Sequence, residues 1–587
     1  MIQQAITHLN SYFGYDSFRK GQSQVIENVL ENKDTLVIMP TGGGKSLCYQ
    51  IPALCLDGTT LVISPLISLM KDQVDMLVSS GIPAAFINSS LSFDEVQDVM
   101  YGVRSGHVKL LYIAPERLEN ERFCMELSQI RIPLLAIDEA HCISQWGHDF
   151  RPSYRSIQQL LHLWNEKPTV IALTATATEE VSSDIQQLLS IAEQDTFVTG
   201  FARENLTFSV LLGENKEAYI KNYVKANAKE AGIIYASTRK SVEAVYEMLN
   251  RAGYAVAKYH GGMFEEDRTY EQNRFLNDEV QIMVATNAFG MGINKTNVRY
   301  VLHYNMPRNM ESYYQEAGRA GRDGLQSECI LLYSSSDEQT QRFLIDQAQD
   351  RSRIPQELTK LHSMIDYCHT ERCLQSYIIE YFGDEAEIGC GKCANCTDDR
   401  PQQDVTLDAQ KVLSCIVRMG QKFGKQLTAS VLAGSRSKKV LDFNFHKLPT
   451  YGILRAMNSK EIANFIEFLI AEKLIVVNNG QFPTISISDL GKEVLLGAKK
   501  VYRKEARIIQ STVEPNDPLF EILRKIRKEI ADREKVPPFV VFSDKSLKEM
   551  CVRRPKNSTQ FLEVSGVGES KLEKYGKIFI DAIIENS

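Results

Sequence analysis

Five short runs of almost unbroken apolar sequence punctuate the first two hundred residues: 35–39, 60–63, 110–113, 134–137 and 170–173. Runs this short and this apolar fit strands that are covered on both faces, as in a parallel sheet. Most are followed by polar or Gly/Pro punctuation and then a helical stretch, so a doubly wound α/β layer is expected. The pattern restarts after about residue 205 with runs at 232–235, 255–259, 281–285 and 300–303. A second α/β domain is therefore expected, with no sequence repeat linking it to the first. From about 340 the sequence turns helical and polar, and Pro401-Gln402-Gln403-Asp404 reads as a linker. Residues 407–500 give helices and then two short strands, 474–477 and 484–487, around the turn Asn478-Asn479-Gly480. Asn-Gly favours a reversal because both residues tolerate positive φ. Helices ending in a hairpin suggest a winged helix. Pro515 and Pro518 bracket a last boundary, followed by a small helical bundle.

The apolar share of 43% and charged share of 24% exclude a mainly disordered or fibrous chain. No apolar run approaches the ~20 residues of a membrane span, and Met1-Ile2-Gln3-Gln4-Ala5 does not resemble a secretory leader. A soluble intracellular protein with no membrane partner is expected. Net charge is −7, yet residues 404–510 carry 17 Lys/Arg against 9 Asp/Glu. That basic segment suits an anionic partner, or simply a solvated basic face; charge alone leaves both open.

Two motifs carry chemistry in the first α/β layer. Thr41-Gly42-Gly43-Gly44-Lys45-Ser46 directly follows an apolar run and Pro40. Glycines let backbone N–H groups close around phosphate oxygens, Lys45 can reach the β/γ-phosphates, and Ser46 can ligate Mg²⁺. The strict pattern wants Gly where Met39 stands, so the loop is a shortened variant. About a hundred residues on, Asp138-Glu139-Ala140-His141 ends another apolar run. Asp138 would hold the Mg²⁺ shell and Glu139 would orient or deprotonate an attacking water. Cys373-x16-Cys390-x2-Cys393-x2-Cys396 suits tetrahedral Zn²⁺ in a structural role. A [4Fe–4S] cluster is the competing reading, although the fourth Cys before Pro is missing.

The loop and the acidic pair together resemble those of superfamily 2 helicases. Further segments narrow the resemblance to the RecQ family of DNA helicases: Phe13-Gly14-Tyr15, Phe18-Arg19 and Gly21-Gln22, then Ser64-Pro65-Leu66-Ile67-Ser68-Leu69-Met70 and Ala114-Pro115-Glu116-Arg117. They continue with Leu173-Thr174-Ala175-Thr176-Ala177, Ala285-Thr286, Phe289-Gly290-Met291-Gly292-Ile293, and Gln315 through Gly324. Asn294 stands where many relatives carry Asp. The resemblance spans essentially the whole chain. It implies two RecA-like domains (1–205 and 206–340), a zinc-binding helical subdomain (341–403), a winged helix (404–510) and an HRDC-like helical bundle (516–587).

What the resemblance implies for function is specific. ATP and Mg²⁺ bind between the RecA-like domains, and hydrolysis drives 3′→5′ movement on single-stranded DNA, unwinding duplex or branched DNA in repair and recombination. Tyr15 and Phe18 flank the adenine, while Arg19 and Gln22 contact the nucleotide. Arg319 and Arg322 lie three apart in a glycine-containing segment and would share a face on a helix start; the resemblance implies that they reach the phosphates from the second domain, with Arg322 as the finger. The plain alternative pairs these arginines with Glu316 or Asp323 on the surface. His141, Gln145, Trp146, His148, Phe150 and Arg151 form an aromatic-rich loop coupling DNA to hydrolysis. Trp146, Phe150 and Tyr154 also fit a helical core stripe, against which Gly147 and Pro152 argue. Arg436, Lys438, Lys439, Lys447, Arg455 and Lys460 are candidates for duplex DNA, and Val564-Ser565-Gly566-Val567-Gly568-Glu569-Ser570-Lys571 for a phosphate. Single-strand-binding protein and other repair factors are possible partners, in a bacterial, nucleoid-associated cytoplasmic setting. An RNA helicase with the same motor, and an ATP-hydrolysing DNA-binding remodeller that separates no strands, remain as rivals.

Overall fold

The computed structural model describes residues 1–89, 91–290, 295–347, 350–478, 483–504, 518–534, 541–542, 544–564, 567 and 571–586. The first sheet has seven strands: β1 Thr35–Ile38, β2 Thr60–Ile63, β3 Ala84–Ile87, β4 Leu110–Ile113, β5 Leu134–Ile137, β6 Thr169–Thr174 and β7 Thr196–Val198. Their order is β3-β4-β2-β5-β6-β1-β7, and every pairing is parallel. The central strands are fully buried because helices cover both faces, which is why their sequence is continuously apolar. In this order β1, β5 and β6 are neighbours or near-neighbours, so loops leaving their C-terminal ends converge.

The second sheet is also parallel throughout. Its strands are β8 Leu206–Leu212, β9 Ala231–Tyr235, β10 Val256–Tyr259, β11 Ile282–Ala285, β12 Val298–His303 and β13 Ser327–Tyr333, in the order β10-β11-β9-β12-β13-β8. One apolar cluster runs from the first sheet (Ile113, Leu135) through Phe201 and Phe208 into the second (Leu331) and on to Tyr367 and Cys393. The two lobes and the cysteine module therefore share a core.

Residues 402–404 are not a linker. Gln402–Asp404 forms β14 and pairs antiparallel with β17, Tyr502–Lys504. This pairing closes the module between them, whose own core includes Val412, Ile416, Ile466 and Leu469. Within it β15 (Ile475–Asn478) and β16 (Thr484–Ile487) make the expected antiparallel hairpin. Asn479 and Gly480 of the expected turn lie outside the described residues, as do Met291 to Asn294. Residues 506–587 form a separate compact unit. It is helical, with a core built on Phe542, Phe561 and Phe579. Ser565, Gly566 and Gly568 to Ser570 of its candidate phosphate turn lie outside the described residues.

Candidate nucleotide cleft, coupling loop and metal centre

The phosphate loop leaves β1 and enters the helix Leu47–Cys55 at Ser46. Gly42 (φ 83°) and Gly44 (φ 86°) adopt the left-handed region, which Cβ-bearing residues disfavour. A Cβ on Gly44 would sit 2.5 Å from Gln22 Nε2. Gln22 is buried and donates to the carbonyls of Gly43 (3.3 Å) and Gly44 (3.1 Å), while its Oε1 accepts from Arg19 N at 2.8 Å. Arg19 Nη1 donates to Gly42 O at 2.7 Å. Both residues thus brace the loop from behind, and the Gln22 amide is engaged with backbone rather than presented outward. Tyr15 is exposed and Phe18 packs against the Ala5–Leu9–Ile26 cluster.

Lys45 Nζ donates to Met39 O at 3.1 Å. Burial pushes its ammonium below the ordinary value, against the pull of Glu139 and Asp138. The acidic pair follows β5, and Asp138 N donates to Ile63 O of neighbouring β2 at 2.9 Å. Burial, then the adjacent Glu139, pushes the Asp138 carboxyl up to about 7, opposed by Lys45. Glu139 takes a left-handed backbone (φ 50°), and its N donates to Asp138 Oδ1 at 3.0 Å. Glu139 Oε2 lies 3.3 Å from His141 Nδ1. Burial pushes His141 down to about 4, so its imidazole is neutral near pH 7. His141 Nδ1 also meets Thr174 Oγ1 at 2.9 Å, and Gln315 from the second lobe donates to Thr176 Oγ1 at 3.1 Å.

Arg319 and Arg322 do not open a helix. The helix Met310–Ala317 ends at Gly318, and both arginines lie beyond it. Glycines at 318 and 321 and the tight turn there stop the helix and bring Arg322 back against the first lobe, while Arg319 lies against Gly290 and Tyr235 of its own lobe. An ideal Cβ on Gly42 would lie 3.7 Å from Arg322 Cγ, and one on Gly318 would lie 3.3 Å from Thr41 Cβ. The surface-pairing alternative fails, because Glu316 pairs with His303 at 2.9 Å and Asp323 pairs with Arg299. Arg319 is 5% exposed, and its Nε and Nη1 have no hydrogen-bond partner. Burial, then Arg319 and Arg203, pushes the Arg322 guanidinium below its ordinary value.

Arg203 carries no sequence signal, yet it is buried at the same place. Nη1 donates to Thr41 O at 2.6 Å and Gly318 O at 3.3 Å; Nη2 donates to Ala320 O at 3.1 Å and Gly321 O at 3.2 Å. Lys45, Arg203 and Arg322 thus gather around the phosphate loop, with Arg319 beside Arg322, and the carboxylates of Asp138 and Glu139 face them. The cleft has an excess of buried positive charge, which favours a polyanion.

The segment after the acidic pair is a loop, not a helical stripe. It runs through a short 3₁₀ turn, Ala140–Ile143, and a second one, Pro152–Arg155. Trp146 is 52% exposed, whereas Tyr154 is fully buried and donates to Asp138 O at 2.9 Å. Gln145 is exposed. His141 and His148 stack at 4.4 Å. Arg151 pairs with Asp149 at 3.1 Å and donates to Pro65 O at 2.9 Å. Arg353 Nη2 donates to Gly147 O, and Gln356 and Lys360 donate to Trp146 O. A cleft of about 820 Å³ opens here, lined by Trp146, Phe150, Arg353, Gln356, Lys360 and Tyr381. Exposed aromatic faces beside basic groups suit stacked bases and a phosphate backbone.

The four cysteine Sγ atoms lie within 4.8 Å of one another. Cys390 and Cys396 are 4.0 Å apart, and Cys373 and Cys393 are 3.9 Å apart. A tetrahedron with Zn–S bonds of about 2.3 Å has edges near 3.8 Å, so the set fits zinc. Backbone N–H groups of Ser376 (3.4 Å) and Cys390 (3.2 Å) point at Cys373 Sγ. Burial raises that thiol, but hydrogen bonding from the Ser376 side chain, together with these N–H groups, outweighs it and brings it down to about 6, which favours a ligating thiolate. His362, Cys368 and His369, nearby in sequence, are not part of the cluster. In the winged-helix module Arg436, Lys438, Lys439, Lys447, Arg455 and Lys460 are all exposed. No described helix is long and apolar enough to cross a membrane.

Family models match consecutive stretches: DEAD/DEAH box helicase at 19–184, helicase conserved C-terminal domain at 215–324, RecQ zinc-binding at 335–397, RQC domain at 399–511 and HRDC domain at 516–583. The chain is 55% identical over 584 residues to the ATP-dependent DNA helicase RecQ of Bacillus subtilis, covering 99% of each. It is 40% identical to the protein of the same name from Haemophilus influenzae, covering 99% of this chain and 96% of that one. Among solved structures it is similar to the DEAD-box helicase Mss116 bound to single-stranded RNA, at 18% identity and a TM-score of 0.49, covering 66% of this chain and 90% of that one. Two parallel α/β lobes, a four-cysteine module, a winged helix and a helical bundle thus occur in one order with full-length likeness, and the chain belongs to the RecQ family of DNA helicases.

Proposed function

We propose that the protein hydrolyses ATP in the cleft between its two α/β lobes and uses the energy to move 3′→5′ on single-stranded DNA, separating duplex or branched DNA. The observation that carries the reading is the meeting of Lys45, Asp138 and Glu139 from one lobe with Arg322 from the other. Backbone N–H groups of residues 42–46 cradle the phosphates, and Lys45 neutralises the β/γ-phosphates. Ser46 and Asp138 hold Mg²⁺, which supplies charge neutralisation. Glu139 orients the attacking water, and Arg322, supported by Arg319, stabilises charge on the transferring phosphoryl group. Tyr15, Phe18, Arg19 and Gln22 form the adenine side, the first two by their ring faces. For Gln22 this requires its bonds to Gly43 and Gly44 to be exchanged for the base.

The loop from His141 to Arg151 passes the state of the nucleotide to DNA, because Tyr154 and His141 tie it to the acidic pair. Cys373, Cys390, Cys393 and Cys396 hold Zn²⁺, which supplies a structural cross-link. The working modules run 1–205, 206–340, 341–403, 404–510 and 516–587. Family membership supports roles in repair and recombination, single-strand-binding protein and repair factors as partners, and a nucleoid-associated cytoplasmic place of action. A fluorescent strand-displacement assay on a duplex with a 3′ single-stranded tail tests the reading. Displacement that needs ATP and the 3′ tail is expected. Hydrolysis without displacement, or displacement confined to RNA duplexes, would overturn it.

A further inference from the structure

The chain crosses from the first sheet to the second between β7 and β8, through residues 199–205. This crossing is held by an unusual set of bonds. Arg203 is 9% exposed and donates to Thr41 O in the phosphate loop and to the carbonyls of Gly318, Ala320 and Gly321 in the arginine segment. A single guanidinium thus spans both halves of the cleft, and it does so through backbone carbonyls, not a carboxylate. A buried cation held by neutral dipoles is costly unless its fork geometry is needed. The next residues add to the bridge: Asn205 Nδ2 donates to Gly321 O at 2.7 Å and Leu325 O at 2.9 Å.

The backbone of the same crossing is gripped from another side. Lys392, between Cys390 and Cys393, donates from Nζ to Arg203 O at 3.2 Å and also to Glu204 O. Ala394 N donates to Phe208 O at 2.9 Å, fixing the cysteine loop on the start of β8. The cysteine loop therefore touches a residue that spans the nucleotide cleft.

We propose that Arg203 is a positioning residue for ATP hydrolysis, setting the distance between the phosphate loop and Arg322, and that Lys392 of the cysteine loop acts through it. The inference rests on the ATP site described above. Arg203 touches no reacting atom in this role. It holds Thr41 and residues 318–321 at the spacing where Arg322 faces the phosphate loop, so its loss slows the chemical step more than nucleotide binding. The cysteine module is thereby a gauge on the hinge, beyond its contribution to folding.

Full-length R203M, R203K, K392M and the R203M/K392M double variant test this against wild type and K45A. DNA-stimulated ATP turnover gives kcat and KM, a fluorescent ATP analogue gives affinity, and metal content reports the cysteine site. R203M is expected to lose about 10- to 100-fold in kcat with KM and analogue affinity within about 3-fold. R203K regains part of the loss, because an ammonium cannot reproduce the fork. K392M loses about 3-fold in kcat with zinc retained, and the double variant is no worse than R203M, as expected for two residues acting in series. Wild-type kcat in R203M overturns the proposal. So does a loss in which nucleotide affinity falls along with turnover, or a double variant whose losses multiply. If K45A retains turnover, the ATP site itself is misplaced; if K45A is inactive while R203M matches wild type, only the role of Arg203 fails.

Discussion

Glu139 combines a left-handed backbone with a carboxylate set beside a buried neutral histidine. Non-glycine residues pay roughly 1–3 kcal/mol for sparsely populated backbone geometry, and such residues persist where the surroundings impose them. Here the imposing group is Asp138, whose Oδ1 accepts from Glu139 N, and His141 Nδ1 lies 3.3 Å from the carboxylate. Replacing Glu139 by Gln keeps the size and the polar contact but removes the base. Turnover is expected to fall about 10²–10⁴-fold, with ATP affinity close to wild type in an analogue-binding titration. Normal turnover would remove Glu139 from its role. Asp138, Glu139 and Lys45 were legible in the sequence because short motifs at strand ends carry them. Arg203 was not, because a side chain that binds backbone carbonyls leaves no complementary residue type to pair it with.

At the scale of elements, the buried central strands were legible and the edges were not. β3 (Ala84–Ile87) and β7 (Thr196–Val198) lie at the two edges of the first sheet, half-covered, with short and mixed sequence. β14 is three exposed polar residues that pair with a strand about a hundred residues away, so no local pattern marks it. Another long-range feature is the contact of the helix Ile354–His369 with the helix Ser459–Ala471 of the winged-helix module. Asp366 on the first faces Glu467, Lys425 and Lys473; burial, then Glu467, raises its carboxyl to about 8 against the two lysines. With the folded value above the unfolded one, the native state binds an extra proton between about pH 4 and 8. The corresponding stability is fully present below pH 4 and is lost as pH rises through 8. D366N is therefore expected to melt close to wild type at pH 4 and higher than wild type at pH 9. A wild-type advantage at pH 9 in a thermal melt would contradict the placement. Lys425 sits between Glu338 and Glu467, and K425M strands the buried Glu467 carboxylate, while Glu338 keeps Arg342. It is expected to cost about 3 kcal/mol in urea unfolding, and a loss below about 1 kcal/mol would show the pair to be solvated.

At the scale of the whole molecule, one continuous core joins both lobes to the cysteine module, while residues 506–587 have a core of their own. Removing residues 516–587 is expected to leave DNA-stimulated ATP turnover within about 3-fold of wild type, since no piece of the motor core is lost. A collapse in turnover would contradict modularity. The central claim is that ATP is held between lobes, with cations supplied from both. The most direct measurement is ATP turnover and ATP-analogue affinity for R322A beside wild type, with saturating single-stranded DNA. The account predicts affinity close to wild type and turnover lower by about 10³-fold. Undiminished turnover in R322A would contradict it.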